Sequence, residues 1–163
     1  MSWTYFTAQA GANYNNSLQV VGTVNTVDDI DGLERPSLLR SEHDYALFKD
    51  DLTPIWENFP QGGRWMVDIQ KNEGDLLDAY WNELMEAVVD GDLDAYNNVT
   101  CGLVVKVRKN VNKIGLWTEN KDDEETNRAI GDLMKLIVGG RTVYYNGHTL
   151  VQVPGRPDFM YEM

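Results

Sequence analysis

Short runs of β-forming residues alternate with two segments of helical periodicity, and this alternation constrains the fold more than any other feature of the chain. The strand candidates are rich in Val, Ile, Thr and aromatic residues and lie between turn-forming residues: 20–24, 64–69, 103–109, 114–118 and 141–145. This order of elements predicts an α+β fold with a mostly antiparallel sheet and helices packed on one face.

The two helical segments are predicted over residues 75–89 and 124–138. The first places its apolar residues at helical spacing: Leu77, Tyr80, Trp81, Leu84, Met85 and Val88. We expect Asp75 to cap its N-terminus, and Gly139 and Gly140 to end the second helix. Both segments are therefore predicted to be amphipathic helices that lie on the sheet.

Residues 103–109 and 114–118 are predicted to form an antiparallel hairpin, with the sequence NVNK as its loop. Four of the 14 basic residues fall on or next to this hairpin: Lys106, Arg108, Lys109 and Lys113. The formal net charge of −12 disfavours binding of a generic polyanion. The hairpin therefore predicts a small cationic site on an acidic protein.

Several classes of protein are disfavoured by what the chain lacks. Cys101 is the single cysteine, which excludes an internal disulfide framework and argues against a structural zinc site. No apolar run is long enough to span a membrane, and no common catalytic motif occurs. His43 and His148 lie far apart in sequence. We expect one cytoplasmic, monomeric domain over residues 1–163 that is not an enzyme and carries no metal or cofactor.

Trp56 and Glu57 follow a proline in a predicted loop, in a chain with five Trp and eight Tyr. A methylated guanine is positively charged, so aromatic faces bind it by stacking with a cation–π contribution. A neighbouring carboxylate can accept hydrogen bonds from the guanine edge. On spacing alone, the simpler interpretation is that Trp56 anchors the loop and Glu57 is a solvated charge.

Two longer stretches favour the binding interpretation. Residues 43–67, HDYALFKDDLTPIWENFPQGGRWMV, resemble a signature of the translation initiation factor 4E family, and residues 99–118, VTCGLVVKVRKNVNKIGLWT, resemble its central hairpin. That family binds the 7-methylguanosine cap of messenger RNA. The resemblance implies a cupped, strongly curved sheet with helices on its convex face and the cap in its concave mouth.

The resemblance also implies roles for particular residues. Trp56 would stack on one face of the methylated guanine. Tyr14, at a position where the family usually has Trp, would stack on the other face. Glu57 would accept hydrogen bonds from the guanine edge. Trp117 would contact the N7-methyl group.

Arg108 and Lys113 match the family's phosphate-binding residues, and Asn110 stands where a further Lys is often found. Four further basic residues are expected to contribute to cap binding: Arg64, Lys106, Lys109 and Arg156. Of these, Arg156 would contact the first transcribed nucleotide.

The resemblance is weakest on the convex surface, where family partners dock a short helix. The segment TVDDIDGLERP predicts a truncated or rearranged first helix. Polar residues replace three apolar anchors of the family, and Val27 and Glu83 alone would not sustain docking: Asp31, Asn82 and Glu86. We therefore expect a noncanonical protein partner. The alternatives are a cap-sequestering translational repressor and a protein-interaction module that keeps the fold without binding the cap.

Overall fold

The computed structural model describes residues 1–149 and 160–163, which form a curved, antiparallel eight-stranded sheet with helices packed against it. The strands in chain order are β1 Trp3–Gln9, β2 Gln19–Val24, β3 His43–Lys49, β4 Gly63–Gln70, β5 Thr100–Val107, β6 Val111–Thr118, β7 Tyr144–Gly147 and β8 Tyr161–Glu162. Their order across the sheet is β2-β1-β3-β5-β6-β4-β7-β8. The predicted α+β class is confirmed.

Two long helices confirm the helical predictions: α2, Gly74–Asp90, and α3, Glu124–Ile137. The predicted cap of α2 is wrong, because Glu73 occupies the N-cap position and Asp75 lies in the first turn. A four-residue helix, α1, spans Tyr14–Ser17. Gly139 and Gly140 end the α3 segment in the left-handed region, with φ of 70° and 79°.

The truncated first helix is also confirmed. A 3-10 helix, Val27–Gly32, replaces it, and a second one, Pro36–Leu38, follows. Asp29 accepts hydrogen bonds from the backbone N–H groups of Asn25 and Thr26, which closes a capping box at the start of the first turn.

The predicted hairpin exists, but its turn begins two residues and ends three residues earlier than expected. Lys106 pairs with Lys113 across the two strands, so the turn contains residues 108–110 and most of the NVNK sequence belongs to β6. The side chain of Asn112 accepts the backbone N–H of Arg108 at 3.3 Å, which closes the turn from inside the strand. The loop assignment failed because only Asn110 lies in the turn, whereas Asn112 stabilises it from within β6.

Other strand boundaries also differ from the predictions. Residues 141–145 were expected to form a strand, but β7 begins only at Tyr144, and Arg141 instead pairs with Glu73 at the start of α2. Strands β1 and β3 were not predicted, although they carry much of the core. In β3 the residues from Tyr45 to Phe48 are continuously apolar, and in β1 the alternation is interrupted between Tyr5 and Phe6, so neither strand shows the regular pattern of a half-exposed strand.

The sheet separates two environments, which we call the helix face and the open face. Along β4, Trp65, Val67 and Ile69 belong to the buried cluster that α2 and α3 cover. Arg64, Met66 and Asp68 alternate with them and line a cavity on the open face. The period of two along the strand therefore determines which side chains are available to a ligand.

Trp65 fixes α3 on the helix face. Its indole Nε1 donates a hydrogen bond to the carbonyl of Asn127 at 2.7 Å, and the ring is fully buried. Gly131 lies directly over this ring, where an added Cβ would come within 2.3 Å of a ring carbon. The helix can approach the sheet this closely only because position 131 has no side chain.

We predict that Gly131→Ala destabilises the protein by about 1–2 kcal/mol, since overpacking outweighs the gain in helix propensity. The matched control is Gly74→Ala, where the added Cβ would meet nothing closer than Ser37 at 3.8 Å. Urea unfolding should show a lower midpoint for the first variant and an equal or higher one for the control. Equal midpoints for the two variants would contradict the packing argument.

Candidate functional site

A loop between β3 and β4 presents Trp56 and Glu57 on the open face. The two residues begin a 3-10 turn, Trp56–Asn58, in which Phe59 N–H donates to the Trp56 carbonyl at 2.9 Å. Pro54 is buried beneath the loop, whereas Trp56 is 46% exposed. An indole this exposed on a short, hydrogen-bonded turn contributes little to the core, so much of its ring surface is available to a ligand.

Tyr14 lies beside this loop. It is the first residue of α1, and its hydroxyl donates a hydrogen bond to the Pro54 carbonyl at 2.9 Å. Burial raises the pKa of this phenol, which keeps it protonated and able to donate. This hydrogen bond fixes the position of the Tyr14 ring relative to the Trp56 loop. The ring and the loop flank one opening.

That opening is the mouth of the first cavity, which has a volume of about 580 Å³. Six of the residues predicted from the sequence to bind the cap line it: Tyr14, Trp56, Glu57, Lys106, Arg108 and Trp117. They come from α1, the β3–β4 loop, β5, β6 and the turn between those two strands. The cavity therefore combines aromatic faces, one exposed carboxylate and cations in a volume suited to a small ligand.

Trp117 lies at the inner side of the first cavity and is 4% exposed. Its ring packs edge-on against Phe48, with centroids 5.1 Å apart, and against Phe59 at 6.1 Å. The ring of His148 lies 4.4 Å away. This aromatic packing holds the indole in one orientation.

His148 is a buried residue that contacts Arg64, one of the expected cap-binding residues. Arg64 Nη1 donates a hydrogen bond to His148 Nδ1 at 2.8 Å, so the imidazole must be neutral, with its proton on Nε2. Burial, followed by the positive charges of Arg64 and Lys106, lowers the pKa of His148 to about 3. His148 has no role predicted from the sequence, and in the structure it is a buried residue that orients Arg64.

The two expected phosphate-binding residues are each held by a carboxylate. Arg108 Nη1 donates to Asp44 Oδ1 at 2.7 Å, and Asp44 is buried. Lys113 Nζ donates to Asp68 Oδ1 and to the Tyr144 hydroxyl, both at 2.7 Å. These bonds orient the two cations, but they also offset part of their charge.

Lys106 differs from its neighbours. Within residues 1–149 and 160–163 its ammonium group makes no hydrogen bond or ion pair. Burial and the nearby charge of Arg64 lower the pKa of Lys106 to about 8, with Asp44 opposing the effect. A cation that is partly desolvated and lacks a counterion gains most from binding an anion.

A second cavity, of about 850 Å³, adjoins the first and shares Lys106 with it. Arg64 and Lys113 line this second cavity. Lys109 is exposed in the hairpin turn and lines neither cavity. The prediction for Arg156 falls outside the described residues.

Four contributors to the site were not assigned a role from the sequence: Asp44, Asp68, Tyr144 and His148. Asp44 carried a usable signal, because a carboxylate inside an otherwise apolar strand needs a cationic partner. The other three become neighbours of the site only through strand pairing, which the local sequence does not encode.

Comparison with known proteins identifies the group to which this fold and site belong. The sequence profile described as Eukaryotic initiation factor 4E matches residues 1–153. The chain belongs to the eukaryotic initiation factor 4E family. Translation initiation factor 4E-1 of Caenorhabditis elegans is 35% identical over 141 residues, which cover 82% of this chain and 66% of the relative. The human factor 4E is 30% identical over 83% of this chain and 65% of its own length.

Solved structures agree with this family assignment. Ascaris suum factor 4E-3, determined with an m2,2,7G cap, has a TM-score of 0.86 at 28% identity, covering 99% of this chain and 95% of the other. C. elegans factor 4E-3, determined with the 4E-binding protein Mextli, has a TM-score of 0.81 at 31% identity, covering 90% of each chain. The present chain spans about two thirds of the length of many of its curated relatives.

Among the described residues, no helix has the length and apolar character needed to cross a bilayer. The same residues contain no group of three or more His, Cys, Asp or Glu side chains arranged to hold a metal ion.

We predict that His148 makes the protein less stable at mildly acidic pH. Its pKa is depressed on folding, from 6.5 to about 3. The unfolded chain therefore binds the additional proton, and stability that is present above pH 6.5 is lost as the pH falls. Between pH 7 and 5 this contribution is on the order of 2 kcal/mol.

The variant His148→Gln isolates the effect, because the glutamine oxygen can still accept from Arg64. Urea unfolding at pH 7 and pH 5 should show a smaller loss of stability for the variant than for the native protein. Equal losses would show that His148 titrates normally in the folded state.

Proposed function

We propose that residues 1–163 form a single domain that binds the 7-methylguanosine 5′ cap of messenger RNA and acts in translation initiation. The observation that most strongly supports this function is the shared lining of one cavity by Tyr14, Trp56, Glu57 and Lys106. This set provides for the three parts of the ligand, which are a cationic ring, a hydrogen-bonding edge and a chain of phosphates. We place this activity in the cytoplasm.

The methylated base would stack between Tyr14 and Trp56. N7-methylation gives guanine a positive charge, so each aromatic face contributes a cation–π interaction of about 0.5–2 kcal/mol. A Tyr face is a weaker donor than Trp, and we expect lower affinity than a site with two indoles would have. Trp117, at the inner side of the cavity, would contact the methyl group.

Glu57 would select guanine. Its carboxylate is exposed at the cavity and has no hydrogen-bond partner within the described part of the chain. It can accept the N1–H and N2–H donors of guanine as charge-assisted bonds. Adenine lacks the same pair of donors on that edge, so the carboxylate discriminates between the purines.

Lys106 and Arg64 would provide the main attraction for the phosphates. Neither has a carboxylate partner among the described residues, whereas Arg108 and Lys113 are bound to Asp44 and Asp68. Lys106 occupies the centre of the arrangement, since it pairs with Lys113 across the hairpin and lines both cavities. The family often has a lysine at the position of Asn110, and Lys106 would replace it.

The likeness to cap-bound relatives favours a binding protein over an enzyme. The site contains no nucleophile paired with a base, because His148 is committed to Arg64 and the Cys101 thiol is buried with a raised pKa. A cap-sequestering repressor would use the same pocket and differ in its protein partner.

The surface that would receive such a partner is polar. Asp31 and Glu83 are exposed, and Asn82 donates a hydrogen bond to Glu86 at 3.1 Å along α2. Val27 is only half-buried. Without a group of apolar anchors, this surface would select a partner unlike the helical peptides of the standard scaffold proteins.

We predict that Trp56→Ala and Glu57→Ala each weaken binding of 7-methylguanosine triphosphate by at least tenfold, which is about 1.4 kcal/mol. The first removes a stacking wall and the second the guanine-edge acceptor. Tryptophan fluorescence quenching measures the affinity, with unmethylated GTP as the ligand control. Saturable quenching by the methylated ligand alone supports the proposal; native affinity in both variants would show that the pocket is wrongly placed.

The phosphate assignment gives a separate prediction. Lys106→Ala should reduce affinity for 7-methylguanosine triphosphate at least tenfold and flatten its dependence on salt, because it removes a half-buried cation that has no ion pair among the described residues. Lys109→Ala removes the same charge from the exposed turn and should change affinity less than threefold. Titrations at two salt concentrations test the pair, and similar losses in both variants would indicate a diffuse charge effect.

The polar partner surface predicts that a standard scaffold helix peptide does not bind detectably. Isothermal titration calorimetry at protein concentrations of tens of micromolar is sensitive enough to test this. Binding in the micromolar range or tighter would contradict the expectation and indicate that Val27 and the α2 surface are sufficient.

A further inference from the structure

We propose that the outer surface between α2 and α3 binds an amphipathic, positively charged helix of a partner protein. The surface consists of two residues of α2 and three of α3, and we call it the interhelical surface: Leu76, Tyr80, Leu133, Leu136 and Ile137. None of these residues lines either cavity of the open face. A partner bound here would therefore leave the proposed cap site free.

The apolar stripe of α3 is wider than its packing on the sheet requires. Ile130 and Met134 are fully buried, and Leu133 and Ile137 are partly buried beside them. Leu136 extends the stripe outward and is 77% exposed. A large side chain that the core does not use, next to two others that are only partly covered, is available to a partner.

The two flanks of α3 have different neighbours. Arg128 lies over the ring of Tyr161, and Lys135 donates a hydrogen bond to the carbonyl of Met163, so the flank with these cations faces β8 and the residue after it. At about 100° per residue, the three exposed or partly exposed apolar residues of α3 lie on the other flank. That flank faces α2, which contacts α3.

On α2, the flank that faces α3 is also apolar. The hydroxyl of Tyr80 reaches the end of α3, where a Cβ added to Gly139 would lie 2.8 Å from it. Leu76, one turn before Tyr80 on the same flank, is 38% exposed. Asn82 and Glu86 lie on the opposite flank of α2, which makes the interhelical surface distinct from the polar partner surface described above.

The architecture of this surface favours a helix as the partner. The backbone groups of α2 and α3 are bonded within the helices, so the surface offers no strand edge and recognises a partner only through side chains. A helix presents side chains while its own backbone remains hydrogen-bonded. The 14 residues of α3 extend over about 21 Å, which is room for about four turns of a partner helix.

The charge beside the apolar residues favours a cationic partner. Glu125 and Asp132 lie in line with Leu136 along the outer edge of α3, at spacings of seven and four residues, and both are exposed. Neither carboxylate has an ion pair within the described part of the chain, whereas Arg128 pairs with Glu124. Lys and Arg beside the apolar stripe of a partner would complement these charges.

The same charges disfavour two other occupants. A second copy of this chain, packed about a twofold axis, would bring like carboxylates together, and each copy has a formal net charge of −12. The headgroups of an anionic membrane would also be repelled. A basic amphipathic helix satisfies both the apolar residues and the acidic edge.

Fluorescence anisotropy with a designed peptide tests the proposal on the full chain. The probe is a fluorescein-labelled peptide of about 18 residues, with Leu on one helical face and Lys on its flanks. We expect saturable binding with a Kd below about 100 μM. A control peptide of the same composition, rearranged so that the Leu residues share no face, should bind at least tenfold more weakly. No saturable binding of the probe, or equal binding of the two peptides, would overturn the proposal.

An exposed leucine provides the matched pair of variants. Leu136→Gln should weaken binding of the probe at least fivefold, because it removes the outermost apolar contact without changing charge. Leu38→Gln is the control, since Leu38 is 70% exposed in the 3-10 helix Pro36–Leu38, away from α3. It should change the affinity less than twofold. Similar losses in the two variants would place the peptide elsewhere.

The acidic edge is tested by charge removal. The double variant Glu125→Gln with Asp132→Asn should weaken binding at least fivefold at low salt and less at high salt, since salt screens exposed charges. The double variant Asp28→Asn with Asp92→Asn removes the same charge from exposed positions elsewhere and should change affinity less than twofold. Equal effects would indicate attraction to the net charge and contradict a defined site.

Two further measurements separate this inference from its rivals. Saturating 7-methylguanosine triphosphate should change the affinity for the probe less than twofold; competition would place the peptide on the open face and overturn the proposal. Sedimentation equilibrium should show a monomer. A dimer that Leu136→Gln abolishes would assign the interhelical surface to a second copy and would likewise overturn it.

Discussion

The pairing register of β4, β5 and β6 is the constraint on which the rest of the molecule depends. It sets Arg64 opposite Trp117, Asp68 opposite Lys113, and Lys113 opposite Lys106. A shift of one residue would turn every one of these side chains toward the helices and bring Trp65 to the open face. The positions of the cations and of Trp117 in the site therefore depend on the same strand-pairing hydrogen bonds as the buried core.

Contacts on the helix face stabilise this pairing register. Trp65 is held by α3 through its bond to Asn127 and by the close approach of Gly131, so β4 cannot slide without losing buried aromatic contacts. On the open face the charges are largely arranged in pairs, which offsets the cost of burying them. Lys106 and Arg64 have no carboxylate partner within residues 1–149 and 160–163, which is consistent with a site that is completed by an anionic ligand.

Much of the fold and part of the site could be predicted from the sequence. Helical periodicity predicted α2 and α3. The Trp56–Glu57 pair was recognised as a candidate site because a Trp side chain in a loop is unusual. The errors have local causes. Asparagines suggested a turn in the hairpin that begins too late, β3 is continuously apolar in its centre, and the alternation of β1 is interrupted between Tyr5 and Phe6. Asp68, Tyr144 and His148 could not be assigned, because their partners lie 31 to 84 residues away in sequence.

The sequence by itself determined the two long helices, the central hairpin, the family and the residue types of the site, because periodicity and motifs are local properties. Only the tertiary structure decided how the charges are shared. It showed that Arg108 and Lys113 are bound to carboxylates, that Lys106 has no such partner in the part of the chain that the structure describes, and that a second cavity adjoins the first at Lys106. These properties arise from distances between strands that are remote in the chain, and Coulombic and hydrogen-bond energies depend on those distances and not on sequence spacing.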